Sequence, residues 1–469
     1  MGRRLNVDTL IDLCELLDLP KSPSVSFAGS DPILPTRFKL AETAAGVLGA
    51  IGVAAGEIWK LRGGDDQLIS VDVNHVAAVL NSFRYHRIVG GMDPAAHFGA
   101  AAQTGSTAIY ATKDGRFFHT HGSFDAEGMC AALGVVDPTP EIMAAAVGQW
   151  DGLELEEHLE ALGRCGAMVR SAVEWAEHPH GQALAEVPVV EILRVGDSDP
   201  EPFEPGERPL SGLRVLDLTR VLAGPTCART LAEHGADVLK IGAAHLPTIE
   251  AFDLDTCLGK RWANLNLKDS DARATLRKLV AEADVFSEGF RPGVMSRFGF
   301  SAETLHELRP GIVTVSINCY GHAGPFAHRP GWEQLGQSVS GMAYEEGGNG
   351  ADMPRLVPAA ACDYTTGYLA ALGVLVALLR RAQTGGSYQV RVSLARTGMW
   401  YMQQPRVAAS TSLPDEIPSR EQMSPFMEGS LTYAGRLKHL APVVQMSSTP
   451  TRWSCGSPEP GSATAAWLS

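Results

Sequence analysis

Residues 213–242 read LRVLDLTRVLAGPTCARTLAEHGADVLKIG. LRVLDLT (213–219) is a strand, a Gly-Pro turn follows, PTCARTLAEHG is a helix, and ADVLKIG returns as a strand. Downstream the alternation continues. ANLNL (263–267), DVFSEGF (284–290) and GIVTVSIN (311–318) read as strands, separated by helices of which one spans about 270–282. Strands alternating with helices of this length predict an α/β fold, a Rossmann-like doubly wound parallel sheet. No GxGxxG follows the first strand. Its turn is Leu222-Ala223-Gly224-Pro225, so a dinucleotide cofactor is not expected.

Further along, residues 357–396 read VPAAACDYTTGYLAALGVLVALLRRAQTGGSYQVRVSLAR. Asp363 precedes a long apolar helix that closes at Thr384-Gly385-Gly386, and an alternating strand follows. An acidic residue at a helix start is either a cap or a reactive carboxylate.

Upstream, an acidic, Pro-rich run marks a linker at 196–209. Before it, residues 105–195 read as a smaller α+β domain. AIYAT and RFFHTH flank Asp114-Gly115 as a hairpin, and 126–186 is mostly helical. His119 and His121 share a strand face, where surface placement is expected and two histidines alone do not make a metal site. In residues 1–104, a helix at 40–60 ends at Gly63-Gly64, and LISVDV (68–73) alternates as a strand. A shift of 321 lays AETAAGVLGAIG (41–52) on CDYTTGYLAALG (362–373), Gly64 on Gly385, and ISVDV on VRVSL, with Glu42 on Asp363. This predicts a partial duplication of one helix–strand unit.

Bulk properties bound the function. The 469 residues carry a formal net charge of −14, which argues against nucleic-acid or anionic-membrane binding. The apolar runs carry Gly and charged interruptions, so no membrane span is expected. Eight cysteines without a CxxC pair argue against a zinc site or a disulfide framework and fit a cytoplasmic location.

RVLDLTRVLAGPTCARTLAEHGADVLKI (214–241), GKRWANLNLK (259–268), SEGFRPGVMSRFGF (287–300), VTVSINCYGHAGPF (313–326) and ACDYTTGYLAALGVLVALL (361–379) resemble family III CoA-transferases, which include formyl-CoA and carnitine CoA-transferases and α-methylacyl-CoA racemases. The match runs in family order over about 210–400. Residues 105–195 resemble the family's small domain, which normally follows the catalytic helix, and 401–469 resemble a C-terminal return segment with a flexible tail. The chain thus resembles a fused tandem trimmed in both copies, in permuted order.

The resemblance implies CoA transfer from an acyl-CoA to a small carboxylic acid. The coenzyme A thioester is substrate, no cofactor is tightly bound, and the implied assembly is a homodimer, interlocked in family members. That chemistry needs a carboxylate nucleophile, exclusion of water and donors for each oxyanion. Asp363 matches the family's nucleophilic aspartate, beside the small residues Ala359, Ala360, Ala361 and Cys362. For CoA, the resemblance points to Arg291, the basic pair Lys260 and Arg261, and the loop Val221, Leu222, Ala223 and Gly224. Leu222 replaces a polar residue of several transferases. His322 sits in a turn. Trp332-Glu333 replaces the racemases' His-Asp pair, which argues against racemisation. The Gly347–Gly350 run reads as a lid or a connector. Glu42 and its helix are expected to be scaffold. The alternatives are an acyl-CoA racemase or isomerase, and an inactive CoA-binding subunit.

Overall fold

A computed structural model describes residues 5–20, 24–91, 93–94, 104–350 and 352–468. The chain opens with α1 (Leu5–Leu17), whose Leu10, Leu13 and Leu17 are buried. β1 (Val25–Ala28), α2 (Leu40–Leu61) and β2 (Ile69–Asp72) then form a parallel βαβ unit, Val25 opposite Ile69. α1 lies so close to α2 that a Cβ on Gly46 would meet Thr9 and the Asn6 carbonyl. α3 (Val73–Val79) starts directly from β2, and Asp72 caps it by accepting from the Asn74 N–H at 2.8 Å. A short strand, β3 (Arg87–Ile88), ends the unit.

The small domain carries the expected hairpin, β4 (Thr107–Ala111) against β5 (Phe117–His121), with β6 (Gly166–Met168) on the other side of β5. Between and after these strands lie α4 (Ala126–Ala132), α5 (Pro140–Val147), α6 (Gly152–Ala161), α7 (Ala172–Glu177) and α8 (Pro179–Ala185). Phe118, Met143, Leu155 and Leu159 fill its core. β7 (Glu191–Gly196) then leaves the small domain and joins the main sheet.

The main α/β unit comprises β8 (Arg214–Leu218), α9 (Ala223–Glu233), β9 (Asp237–Gly242), α10 (Glu250–Thr256), β10 (Lys260–Asn264), α11 (Ser270–Val280), β11 (Val285–Glu288), α12 (Val294–Arg297), α13 (Ala302–Leu308), β12 (Val313–Asn318), α14 (Glu333–Ser340), α15 (Met342–Glu346), α16 (Ala361–Thr384), β13 (Ser387–Ser393) and α17 (Leu394–Gln403). Its seven strands run β10-β9-β8-β11-β12-β13-β7. All pair in parallel except β7, which is antiparallel to β13. The doubly wound parallel sheet is therefore as expected. The antiparallel edge strand was not: it lies where the sequence turns toward the linker. β14 (Met427–Thr432) and β15 (Gly435–Leu440) form a hairpin with β3, and β16 (Gln445–Met446) pairs with β2.

The C-terminal segment was expected to be loosely held. It runs along the main unit instead. Trp453 Nε1 donates to the Arg229 carbonyl (3.2 Å), Ala463 N to the Trp262 carbonyl (2.8 Å) and Trp467 Nε1 to the Leu279 carbonyl (3.1 Å). Tryptophans with satisfied indole N–H groups anchor a segment whose Ser/Pro/Gly composition alone suggests none.

The two helices compared in the sequence begin alike in the backbone. α2 starts at Leu40 and α16 at Ala361, the 321-residue shift. The residues before them, Lys39 (φ −81°, ψ 63°) and Ala360 (φ −79°, ψ 54°), share an unusual conformation. Under the same shift the strand-to-helix junction at Val73 falls on that at Leu394. The structure also extends the repeat. VSFA (25–28) pairs parallel to β2 with Val25 opposite Ile69, as VSIN (315–318) pairs to β13 with Val315 opposite Val390. α2 and α16 pack on one another within one core. Both are long and apolar enough to cross a membrane, but the apolar windows are 78% and 100% buried in protein.

A buried ionic knot ties the units together. Asp255 on α10 is fully buried. It accepts from Ser82 Oγ at 2.6 Å and from Tyr364 Oη at 2.7 Å, pairs with Arg229 of α9, and lies 3.4 Å from His86 Nε2. Burial pushes its carboxyl upward, but the Arg229 guanidinium, helped by His86 and Ser82, outweighs this and holds it well below the usual carboxylate range. Asp255→Ala would strand a buried guanidinium. It is expected to cost about 3–5 kcal/mol in denaturant unfolding, with loss of attachment between residues 82–86 and α16 seen as faster amide exchange at Ser82–His86.

Candidate active site

The strand order reverses between β8 and β11, and ligands of open parallel sheets collect outside the carboxyl ends of strands at such a point. The turn after β8 is strained there: Val221, a β-branched residue, has φ +71°. Asp217 and Lys260 brace it from below. Lys260 Nζ donates to Asp217 Oδ2 (2.7 Å) and to the Pro225 carbonyl (2.8 Å), and Asp217 Oδ1 accepts from Thr219 N (3.0 Å). The turn delivers α9, whose N-terminus at Leu222–Ala223 meets the N-terminus of α16. Gly367, one turn after Asp363, allows this approach. A Cβ there would collide with the Ala223 carbonyl and Thr226.

Asp363 sits in the first turn of α16, 8% exposed, and the Ala223 N–H of α9 favours its ionised form. It does not cap its own helix: position 360 precedes α16 and makes no side-chain cap bond. Burial first, and the neighbouring Glu333 carboxylate second, push its carboxyl well above the ordinary value, against the Ala223 N–H. Glu333 opens α14. Its Oε1 accepts from Gln337 Nε2 at 2.7 Å and from Cys362 N at 3.2 Å, and burial lifts it to about 7. Two like carboxylates acting on one another in one dry site cannot both ionise cheaply, so the pair titrates as a unit.

A cavity of about 580 Å³ opens over this pair. Phe83, Phe124, Leu222, Phe252 and Trp332 give it apolar walls. Phe124 and His121 of the small domain pack on Trp332, with ring centroids at 4.9 and 6.0 Å. His119 and His121 are both buried, contrary to the expected surface placement, because the face of β5 packs on α14. His119 Nδ1 lies 2.8 Å from Ser338 Oγ. Burial lowers His121 to about 4, so it is neutral near pH 7. The N-terminal unit closes the site. Asn81 Nδ2 donates to the Pro358 carbonyl (2.8 Å), Ala360 N donates to the Leu80 carbonyl (3.1 Å), and Arg84 lines the cavity. A second cavity, about 40 Å³, shares Phe124, Val221, Ile249 and Phe252 with the first and continues along the ends of β8, β9 and β10 past Arg220 and Phe290.

The model of CoA-transferase family III matches residues 210–436. The chain is 30% identical over 418 residues to an acyl-CoA transferase of Gibberella moniliformis, covering 80% of this chain and 73% of that protein. The chain belongs to CoA-transferase family III. It is also 37% identical over 322 residues to the acetyl-coenzyme A transferase nodX of Hypoxylon pulicicidum, covering 63% of this chain and 54% of that one. Against formyl-CoA:oxalate CoA-transferase of Escherichia coli the identity is 36% over 200 residues, 40% of this chain and 47% of that enzyme. The chain thus spans about half the length of two of these family III relatives.

Of the residues singled out in this family III chain, Asp363, Val221 and Leu222 line the main cavity, and Ala223 and Gly224 form the helix start behind them. Arg291 is exposed on the turn after β11, close enough to the small domain for its charge to act on Cys165. The expectation that Lys260 and Arg261 meet CoA phosphates is corrected. Lys260 is fully buried under the turn. Arg261 Nη2 is bidentate on Asp237 (2.9 and 3.0 Å), and Nη1 donates to the Ala466 carbonyl. A strand alternates its side chains, and these two are spent on the sheet's own carboxylates. Sequence reasoning did not assign Glu333, Arg84, Arg220 or Phe124 to the site. Glu333 was legible as an acid beginning a helix. The others reach the site only by tertiary contact. Among the described residues, no cluster of three or more His, Cys, Asp or Glu could hold a metal ion.

Two outcomes follow from this geometry. In an exposed helix, Gly→Ala gains about 1 kcal/mol, but at Gly367 the methyl meets backbone, and overpacking costs about 1–3 kcal/mol. Gly367→Ala is therefore expected to lower stability in denaturant titration. For Glu333, the folded pKa of about 7 exceeds its unfolded value, so the folded state holds the extra proton. Stability is then lost as pH rises from the ordinary glutamate range toward 7. In scanning calorimetry, Glu333→Gln should flatten the fall in Tm between those two pH values.

Proposed function

We propose that the chain moves CoA from an acyl-CoA to a small carboxylic acid, with Asp363 as covalent nucleophile. The observation that carries this reading is a buried aspartate facing a large, mostly apolar cavity, with a backbone N–H from a second helix aimed at it. In the ionised form, an Asp363 oxygen attacks the thioester carbonyl and the C–S bond breaks. This gives an acyl-aspartyl anhydride and CoA thiolate. The thiolate attacks the aspartyl carbonyl, releases the donor acid and forms an aspartyl–CoA thioester. The acceptor carboxylate attacks that thioester, and the returning thiolate takes the acceptor's acyl group, restoring Asp363. Each adduct places an oxyanion at the facing starts of α9 and α16, whose N–H groups and dipoles favour negative charge.

Glu333 supplies the ionisation control. When Glu333 holds a proton, Asp363 is the nucleophile, and the Cys362 and Gln337 N–H donors keep Glu333 in place. The apolar walls exclude the water that would hydrolyse an anhydride. Arg84 lines the larger cavity and Arg220 the smaller, and these cations, with Arg291 on the exposed turn after β11, would meet the phosphates of CoA. The named relatives, an acyl-CoA transferase among them, support the same reaction class.

The test combines exchange kinetics and trapping. Asp363→Ala is expected to lower transfer by on the order of 10⁴-fold or more, with CoA binding retained in equilibrium titration. Wild type incubated with acyl-CoA and then hydroxylamine should carry the adduct at Asp363 by peptide mass spectrometry. CoA binding without any adduct or conversion would favour an inactive binding subunit. Deuterium exchange at the substrate α-carbon without transfer would favour the racemase.

A further inference from the structure

The carboxyl ends of β12 and β13 border another cavity, of about 80 Å³, that shares no lining residue with the one over Asp363. His322 from the turn after β12, Arg391 and Ser393 of β13, and Arg396 in the first turn of α17 line it, with Val187 and Glu191 on the side entering β7. Its charges are not balanced. Arg391 Nη1 stands 3.5 Å from Glu191 Oε1 and its Nε donates to Gln389 Oε1 (3.0 Å). Arg396 has no carboxylate partner among the described residues. Its Nε donates to the Val187 carbonyl at 2.9 Å, while its Nη1 is buried with no partner at all. Burial lowers its pKa with no neighbouring charge to offset that.

Two further groups are uncommitted. Ser393 is 4% exposed, occupies the N-cap position of α17, and makes no cap hydrogen bond. Behind His322, Ser316 Oγ donates to Glu288 Oε1 (2.6 Å) and lies 2.9 Å from His322 Nε2. The Nε2–H therefore donates to Ser316, leaving Nδ1 of the ring unspent.

We propose that this cavity binds a small oxyanion, a phosphate or a short carboxylate, clamped between the Arg396 and Arg391 guanidinium groups and the Ser393 hydroxyl at the start of α17. Guanidinium donors suit such a ligand in a planar, bidentate way. The first N–H groups of a helix of this length favour negative charge, and the position outside parallel strand ends is where such folds take ligands. Arg396 is half-buried with no counter-charge, and an oxyanion in the cavity would supply one. The volume admits a phosphate-sized group and excludes CoA. Occupancy would fasten residues 187–191 to α17, which in turn holds the catalytic helix through Thr397 Oγ1–Thr366 Oγ1 (2.7 Å) and Tyr401 Oη–Thr365 Oγ1 (2.6 Å).

The test is calorimetric titration of the full chain with inorganic phosphate, and separately with acetate, in saturating CoA so that the CoA cleft is filled. Wild type is expected to bind one of them saturably at a single site. Arg396→Gln should weaken that binding by about tenfold or more, the scale of one lost charge-assisted bidentate contact. Arg396→Lys, which keeps the charge, should weaken it less, and both variants are checked for native circular dichroism. If Arg396→Gln does not fold, Ser393→Ala is the reporter, with a loss of a few-fold. Preference for phosphate or for acetate identifies the ligand source. An absence of saturable binding in wild type, or binding unchanged in Arg396→Gln, would overturn the proposal.

Discussion

The Asp255 carboxylate is the constraint on which the rest of the molecule depends. It is fully buried and takes partners from three separate parts of the chain: Ser82 and His86 from the N-terminal unit, Arg229 from α9, and Tyr364 from α16. Tyr364 adjoins Asp363, and Arg229 lies on the helix whose Ala223 N–H favours ionised Asp363. A displacement of the N-terminal unit therefore reaches the two helix termini that frame Asp363. Buried ion pairs add little net stability compared with apolar packing, but breaking one is expensive. This knot thus specifies how the parts sit together more than it holds them.

Within that frame the site sets two opposing demands. Chemistry at a carboxylate needs a dry pocket, and a dry pocket raises the pKa of the carboxylate it contains. The structure answers with backbone donors and with a second acid. The Ala223 N–H favours the ionised form of Asp363, and Cys362 and Gln337 donate to Glu333, so the two acids resist ionising together. The strained Val221 and the missing side chain at Gly367 bring α9 near enough for its N–H to take part.

The main sheet was legible because period and composition act locally, although the strand read at 263–267 runs instead over Lys260–Asn264 and the short helix α10 gave no local signal. The helix start, closing glycines and strand that recur at one spacing are local signals of the same kind. What was not legible is set at a distance. Lys260 looks like a surface cation until Asp217 of β8, two strands away, and Pro225 in the first turn of α9 claim it. His119 and His121 look exposed until α14 covers them. Arg84 and Phe124 reach the cavity from two units whose docking no local pattern encodes. The C-terminal segment is held by two tryptophan indoles and a backbone bond from Ala463 that its composition hides.

The central claim is that an oxygen of Asp363 passes through an anhydride. The acceptor acid, labelled with ¹⁸O in its carboxyl group, tests it directly. During turnover with unlabelled acyl-CoA, the acceptor should leave heavy oxygen in the Asp363 side chain. The peptide carrying Asp363 should then gain mass in step with transfer, and Glu333 should stay unlabelled. Transfer that proceeds with no label entering Asp363 would contradict the account, because direct exchange between bound substrates would explain it without an enzyme-bound acyl group.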